Sequence, residues 1–391
     1  MSTHDIGFVG AGQLARMAGE AASALGLSMA VLAQHPDDAA CSVAAEVVVG
    51  SPFVEADLRA LCERCGVVTF DHDQVDLDIV TGLTAEGYVL RPGAATLEFA
   101  VDKAHMRTEL DRAGVPVPAY AVLDNGPDAA KSVGRFAQEH GWPVMLKAAR
   151  GGYDGKGVWP VADQNEVAEV LSRVEGSVVV EELVTLDAEL AVMVARRPSG
   201  SAAAWPAVET AQVGGVCREV LVPGRLPSDV VEAATGLGQK VAEIAGAVGV
   251  MAIELFWSEG RLLVNEVATR PHNSGHWTIE GAVTSQFENH VRAVLDLPLG
   301  STAPQHPQVA SVNVFGGAEG ESPADRLARG LAVEGAHVHL YGKDPRPGRK
   351  LGHVTVCGDD PELVRARAWS AARALGTPVP AGLDVPSERS S

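Results

Sequence analysis

The sequence predicts an α/β protein of three successive modules, an expectation that rests on three observations. Strand and helix signals alternate through the N-terminal region, Pro- and Gly-rich breaks punctuate the chain, and the composition is globular. With 391 residues the chain is too long for one simple core. Hydrophobic residues make up 46% and charged residues 21%, which excludes a disordered or fibrous chain.

Ile6–Val9 reads as a short apolar strand, Gly10-Ala11-Gly12 as a turn, and Gln13–Leu25 as a helix with Ala, Leu and Met at helical spacing. A strand at Ser28–Ala33, an apolar run at Glu46–Gly50, a helix at Glu55–Cys65 and a strand at Val67–Phe70 follow. This β-α-β-α-β order predicts a Rossmann-like parallel sheet with helices on both faces, over residues 1–100. Arg91-Pro92-Gly93 punctuates its end. A helix over Ala94–Ala113 is stopped by Gly114-Val115-Pro116-Val117-Pro118. Strands at Pro143–Lys147 and Ser177–Glu181 flank a Gly-rich loop in a subdomain over 119–182, and a helix at Ser228–Val248 belongs to a central domain over 101–300. Thr302–Pro307 marks a boundary. Residues 301–391 read as a small module of short strands and a helix, with a disordered tail from Pro386.

Charge and cysteine usage narrow the function class. Against 31 Lys and Arg stand 50 Asp and Glu, a net charge of −19, which argues against non-specific nucleic-acid binding. An anionic substrate must then meet a local basic cluster. No run of about 18 apolar residues occurs, so no membrane span is expected. The first ten residues lack the basic and apolar regions of a secretory signal. Five cysteines, Cys41, Cys62, Cys65, Cys217 and Cys357, fit a reducing cytoplasm. Cys62 and Cys65 have no second pair for zinc and read as helix thiols.

Gly10-Ala11-Gly12-Gln13-Leu14-Ala15 matches the dinucleotide fingerprint G-x-G-x-x-A, but the second strand ends Leu32-Ala33-Gln34-His35, without the acidic residue a dehydrogenase needs. It therefore reads as a structural or substrate-side turn. The loop from Arg150 to Gly157 is more specific. Gly151, Gly152, Gly155 and Gly157 let backbone N–H groups approach phosphate oxygens, while Lys156 and Lys147 supply cations. A hairpin turn with incidental glycines is the plain alternative. Glu181-Glu182-Leu183-Val184 ends a strand in a place suited to an adenine edge, with Glu189 beyond it for ribose hydroxyls. Glu254 and Glu266 interrupt two apolar strands joined by the short turn Ser258–Arg261, so both can lie on one face of a hairpin. With Asn265 they offer hard oxygen ligands for Mg²⁺. Arg270 to His276 is a loop dense in donors, and Tyr341 to Lys350 is the strongest basic cluster, suited to a phosphate monoester.

These stretches resemble the ATP-grasp ligases, and among them the 5-(carboxyamino)imidazole ribonucleotide synthetases of bacterial purine synthesis. The matching segments are Gly12–Met17, Thr69–Val75, Lys147–Gly157, Asn265–Glu288 and Arg346–His353, which span nearly the whole chain. The resemblance implies an N-terminal pre-ATP-grasp domain, a central ATP-grasp domain, a small β-rich C-terminal domain and a homodimer. It implies that ATP contacts Lys103, Lys147, Gly152, Tyr153, Asp154, Gly155, Lys156, Gly157, Glu181, Glu182, Leu183, Val184, Glu189, Gln212, Asn265 and Glu266. Glu254 and Glu266 would hold Mg²⁺. Gln13, Arg270, His272, Asn273, Ser274, Lys343 and Arg349 would bind 5-aminoimidazole ribonucleotide, with Tyr153, Asp154, Lys156, Arg270 and Asn273 at the reacting groups. The implied reaction phosphorylates bicarbonate with ATP and carboxylates the exocyclic amine. Phe99 stands where related enzymes carry an Arg, Gln212 where a His is common, and Asp71-His72-Asp73-Gln74 departs from a Glu-rich version. A formate-dependent glycinamide ribonucleotide transformylase, a biotin carboxylase-like subunit and a non-catalytic nucleotide sensor are the competing readings.

Overall fold

The computed structural model describes residues 2–152, 156–316 and 323–386. Tyr153, Asp154 and Gly155 of the glycine loop lie outside the described residues, as does the tail from Ser387 onward.

β1 (His4–Val9) is buried over its last four residues, as an inner parallel strand must be. α1 (Gln13–Ala24), β2 (Met29–Ala33), β3 (Glu46–Val49), α2 (Glu55–Cys62) and β4 (Cys65–Phe70) follow, giving the all-parallel order β3-β2-β1-β4. The helix expected to reach Cys65 ends at Cys62, and Cys65 already pairs with β1. Both thiols are buried and free, and burial pushes each up to about 12, so neither is a ready nucleophile.

After α3 (Leu77–Ala85), the single helix expected over Ala94–Ala113 is two, α4 (Ala94–Val101) and α5 (Lys103–Arg112). Asp102 causes the break. Its backbone is extended (φ −125°, ψ 104°) and its carboxylate caps α5 by accepting from the N–H groups of Ala104 (2.9 Å) and His105 (3.0 Å). The other carboxylate oxygen accepts from Arg150 Nε at 2.8 Å, and the Lys103 N–H donates to the Ala149 carbonyl at 2.8 Å. The break thus docks the entrance of the glycine loop.

A separate antiparallel sheet comes next, formed by β5 (Tyr120–Asp124), β6 (Val144–Ala148), β7 (Val158–Val161) and β8 (Ser177–Glu182) in the order β5-β8-β6-β7. α6 (Ala129–His140) and α7 (Gln164–Leu171) cover the face that carries Val144, Leu146, Val178 and Val180.

The remaining strands are β9 (Ala188–Arg196), β10 (Ala202–Ala204), β11 (Val208–Val213), β12 (Val216–Val222), β13 (Gly249–Ser258), β14 (Arg261–Ala268), β15 (Gln308–Phe315), β16 (Ala336–Leu340) and β17 (Lys350–Gly358). They form one sheet in the order β14-β13-β9-β11-β12-β15-β17-β16, with β10 on β9. Pairing of β12 with β15 makes the C-terminal strands an extension of the central sheet. α8 (Ser228–Ile244) packs on β9 and stops short of the expected Val248, where Gly246 takes φ +63°. α9 (Thr278–Gly281), α10 (Gln286–Val294), α11 (Leu327–Leu331) and α12 (Pro361–Ala374) complete the element order. Among the described residues no helix is long and apolar enough to cross a membrane.

His290 of α10 ties the N-terminal sheet to the central one. The Val250 N–H donates to its Nδ1 at 3.0 Å, so the neutral ring carries its proton on Nε2 and donates it to Thr69 Oγ1 at 3.0 Å. Burial pushes this imidazole down to about 3. A group lowered from its unfolded value of about 6.5 contributes stability that is present above that pH and lost as pH falls toward the folded value. Chemical denaturation between pH 7 and pH 4 should therefore show about 1.4 kcal/mol of stability lost per pH unit from this imidazole below pH 6.5. A His290→Gln variant should lose that share of the slope.

Candidate active site

The site begins with the β13–β14 hairpin. Its turn places Glu259 at φ 49° and Gly260 at φ 76°, and the resulting register sets Glu254 opposite Glu266. Sequence spacing had allowed this pairing, and the ladder shows it. Glu266 Oε1 lies 2.6 Å from Lys103 Nζ, while Glu254 Oε1 lies 3.5 Å from His272 Nε2 and accepts from Gln212. Burial, with Glu266 and Glu189 adding repulsion, pushes the Glu254 carboxyl up to about 7. Burial acts the same way on Glu266, but Lys103, then Lys147, outweigh it and hold that carboxyl below its usual range. Among the described residues no three acidic, His or Cys side chains could enclose a metal by themselves. Two carboxylates with open oxygens fit a hard divalent cation that takes its other ligands from a nucleotide and water.

Behind this pair sits a buried ion cluster. Lys147 Nζ lies 2.7 Å from Glu181 Oε2 and donates to Asn265 Oδ1 at 3.1 Å. Arg107 Nε reaches Glu181 Oε1 at 2.7 Å, and its Nη1 donates to the Val264 carbonyl at 3.1 Å. Arg107 and Glu181 are 1% and 2% exposed. Burial raises the Glu181 carboxyl, yet Arg107 and Lys147 override it and hold the group at about 2. Burial lowers Lys147. Sequence reasoning missed Arg107, one of three Lys or Arg residues in α5, whose partner is 74 positions away. The Glu181 carboxylate, expected at an adenine edge, is engaged by two cations, and the backbone of Glu181 and Glu182 is paired between β5 and β6, with the Glu182 N–H donating to the Ala119 carbonyl at 3.0 Å. Glu182 Oε1 accepts from the Ala119 N–H at 3.0 Å, and Leu183 is exposed. Val184 and Glu189 are half-buried, and burial raises the Glu189 carboxyl.

The glycine loop spans the β6–β7 hairpin, with the Ala148 N–H donating to the Gly157 carbonyl at 2.8 Å. Its neck requires glycine. A Cβ at Gly152 would stand 2.7 Å from the Lys156 carbonyl oxygen, one at Gly157 would stand 3.1 Å from the Gly152 Cα, and Gly157 has φ +73°. Lys156 is exposed. Phe99, at the departure from the family pattern, is buried edge-on to His105 with centroids 5.1 Å apart.

On the other side of Glu254 lies the donor loop. Arg270 Nε donates to Asp73 Oδ2 at 2.8 Å, and the Thr269 N–H and hydroxyl donate to Asp73 Oδ1 at 3.2 and 3.1 Å. His272 Nδ1 meets Ser274 Oγ at 2.8 Å, and the buried Asn273 Nδ2 has no hydrogen-bond partner among the described residues. Lys343 Nζ hydrogen-bonds Gln13 Oε1, joining the first turn of the chain to the basic C-terminal segment, while Arg349 donates to the Asp344 carbonyl at 3.1 Å. Asp71 fills the α1 N-terminus, accepting from the N–H groups of Gly12 (2.5 Å) and Ala15 (2.8 Å), which leaves no anion site for a dinucleotide there. Asp71 and Asp73 had been legible only as part of a matching stretch.

An ATP-grasp domain matches residues 108–287, the segment that carries Lys147, Glu181 and the carboxylate pair, with Arg107 just before it, and with the relatives below this makes the protein an ATP-grasp ligase. A ribonucleotide synthetase preATP-grasp domain matches residues 1–101, and a phosphoribosylaminoimidazole carboxylase C-terminal domain matches residues 310–367. N5-carboxyaminoimidazole ribonucleotide synthase of Mycobacterium tuberculosis is 45% identical over 378 residues, covering 95% of this chain and 87% of the relative. The crystal structure of N5-carboxyaminoimidazole ribonucleotide synthetase from Thermus thermophilus is 37% identical, with a TM-score of 0.86 over 95% of this chain and 99% of that one. The Aspergillus clavatus synthase, in complex with ADP and 5-aminoimidazole ribonucleotide, is 27% identical with a TM-score of 0.86, covering 96% and 99%. The chain belongs to the N5-carboxyaminoimidazole ribonucleotide synthase family.

Removing the anion at the centre of the ion cluster isolates two buried cations. Glu181→Gln should cost about 3–5 kcal/mol of stability, measured by denaturant unfolding. A loss under about 1 kcal/mol would contradict a cluster of this kind.

Proposed function

We propose that the chain carboxylates 5-aminoimidazole ribonucleotide on its exocyclic amine, using ATP and bicarbonate, to give N5-carboxyaminoimidazole ribonucleotide in purine biosynthesis. The observation that carries this reading is the position of Glu254 and Glu266 between two sets of groups. Lys103, Lys147 and Asn265 stand on one side, and Arg270, His272 and Ser274 on the other. A phosphoryl group passing from ATP to bicarbonate gives carboxyphosphate, and this geometry sets its two ends against a nucleotide site and an acceptor site.

In this proposal Lys103, Lys147 and the 152–157 loop neutralise the ATP phosphates, the backbone at 181–184 receives adenine, and Glu189 takes the ribose. Gln212 orients Glu254. Mg²⁺, held by Glu254 and Glu266, supplies charge neutralisation of the phosphates. Arg270, His272, Asn273, Ser274, Gln13, Lys343 and Arg349 receive the acceptor ribonucleotide, its phosphate meeting the basic segment. Tyr153, Asp154 and Lys156 complete the reacting centre from the glycine loop. Positioning and charge neutralisation provide the catalysis, because two anions and an amine must meet. Covering the site with the loop would keep water from the labile acyl phosphate. The enzyme acts in the cytoplasm as a homodimer, with domains over 1–100, 101–300 and 301–391.

ADP formation should require bicarbonate and rise when 5-aminoimidazole ribonucleotide is added, while formate with glycinamide ribonucleotide gives none. Absence of stimulation by the aminoimidazole substrate would overturn the reading. Glu266→Gln should lower turnover by a factor of about 100 or more, with an unfolding midpoint near that of the parent.

A further inference from the structure

The donor loop and the basic segment lie far apart in sequence, yet a column of buried rings joins them. His276 follows the short 3-10 turn Asn273–Gly275, and its ring centroid lies 4.9 Å from that of His353 in β17. His353 in turn stacks on His339 of β16, with centroids 4.6 Å apart and planes 13° apart. His276 and His353 are 1% and 0% exposed.

The column has a defined chemistry. Gln286 accepts the His272 N–H on Oε1 at 2.9 Å, so its amide nitrogen faces the His272 carbonyl (2.7 Å) and His276 Nδ1 (3.1 Å). His276 Nδ1 must then accept, which leaves the ring neutral with its proton on Nε2. Tyr341 Oη meets His353 Nδ1 at 2.8 Å, and Glu280 Oε1 meets His339 Nε2 at 2.6 Å. Burial comes first among the causes that hold both His276 and His353 well below the usual imidazole range, and neighbouring cationic groups add to it. One end of the column is two residues from Ser274. The other end is set by Tyr341, two residues from Lys343, and by His353, close after Arg349 and Lys350.

We propose that this ring column is a positioning device for the acceptor substrate. It fixes the loop Arg270–Ser274 against the segment Lys343–Lys350 at the spacing one ribonucleotide requires, without touching that ribonucleotide. The basic segment carries Lys343, Arg346, Arg349 and Lys350 against one Asp344, while Arg270 of the donor loop is already paired with Asp73 at 2.8 Å, so the two segments need a link other than direct charge attraction to stay in register. A stacked link, buried at His276 and His353 and half-buried at His339, holds the two segments in register. On the ATP side Lys103 pairs with Glu266, and Lys147 with Glu181 and Asn265, all partners outside the column. The inference rests on the acceptor reading given above, and it divides the two substrates: acceptor affinity depends on the column and ATP affinity does not.

Two variants test it in the full-length enzyme. His353→Phe keeps a ring and removes both nitrogens, and Tyr341→Phe removes only the hydroxyl. KM for 5-aminoimidazole ribonucleotide should rise about tenfold in the first and about threefold in the second, with KM for ATP unchanged. If KM values for both substrates rise together, the column is merely structural and the proposal fails; it fails equally if neither variant changes the acceptor KM. Should His353→Phe not fold, Tyr341→Phe decides alone by the same criterion. A parent enzyme that shows no turnover with the aminoimidazole substrate overturns the acceptor reading instead, so the two failures are distinct.

Discussion

Glu254 and Glu266 face each other across an antiparallel ladder, and like charges in that position repel. The rest of the site is arranged around this repulsion. Proton uptake is one relief, and the Glu254 carboxyl, pushed up to about 7, is half-way to it near neutral pH. Countercharge is the other, and Lys103 gives it to Glu266 at 2.6 Å. Gln212 and His272 turn donors toward Glu254. These compensating groups come from α5, β11 and the donor loop, so the hairpin pulls three separate parts of the chain to one place. A divalent cation held here, as proposed, would replace an incomplete neutralisation with a better one.

The ion cluster behind the hairpin solves a different problem. β6 and β8 belong to the separate four-stranded sheet, and they must be registered on the central body that carries β14. Glu181 does this by binding Lys147 from its own sheet and Arg107 from α5, while Arg107 also holds the Val264 carbonyl. Desolvation makes such a cluster expensive unless every member is matched. Lys147, pulled down by burial, gains most when a polyphosphate brings further negative charge beside it.

Much of this was legible in the sequence because it depends on local pattern. Alternation gave the parallel sheet, the short turn at 258–261 gave the carboxylate hairpin, and the density of glycine gave the loop. What escaped depends on partners far along the chain. Arg107 looks like any charged helix residue until Glu181 is folded against it. Asp102 breaks a helix that its neighbours would continue, because its carboxylate caps α5 and holds Arg150 together. Asp73 acquires its role only when it meets Arg270, 197 positions away. His276 and His353 were legible only as members of the donor loop and of a matching stretch, and nothing local shows that their rings meet, because that contact joins positions 77 apart.

The two ends of the site share one scaffold. From β14 and β13, which carry the carboxylates, the sheet runs without interruption through β9, β11, β12 and β15 to β17 and β16, which flank the basic segment. Hydrogen-bonded strands transmit position well, so the distance between the carboxylate pair and the basic segment is fixed by the ladder itself. The four-stranded sheet carrying Lys147 and the glycine hairpin lies outside that ladder. The architecture therefore separates two requirements. One continuous sheet keeps the carboxylate pair and the basic segment at a constant spacing, and a second, independently built sheet carries Lys147 and the glycine hairpin. The proposed acyl phosphate would require both, because it would have to meet the acceptor before water reaches it.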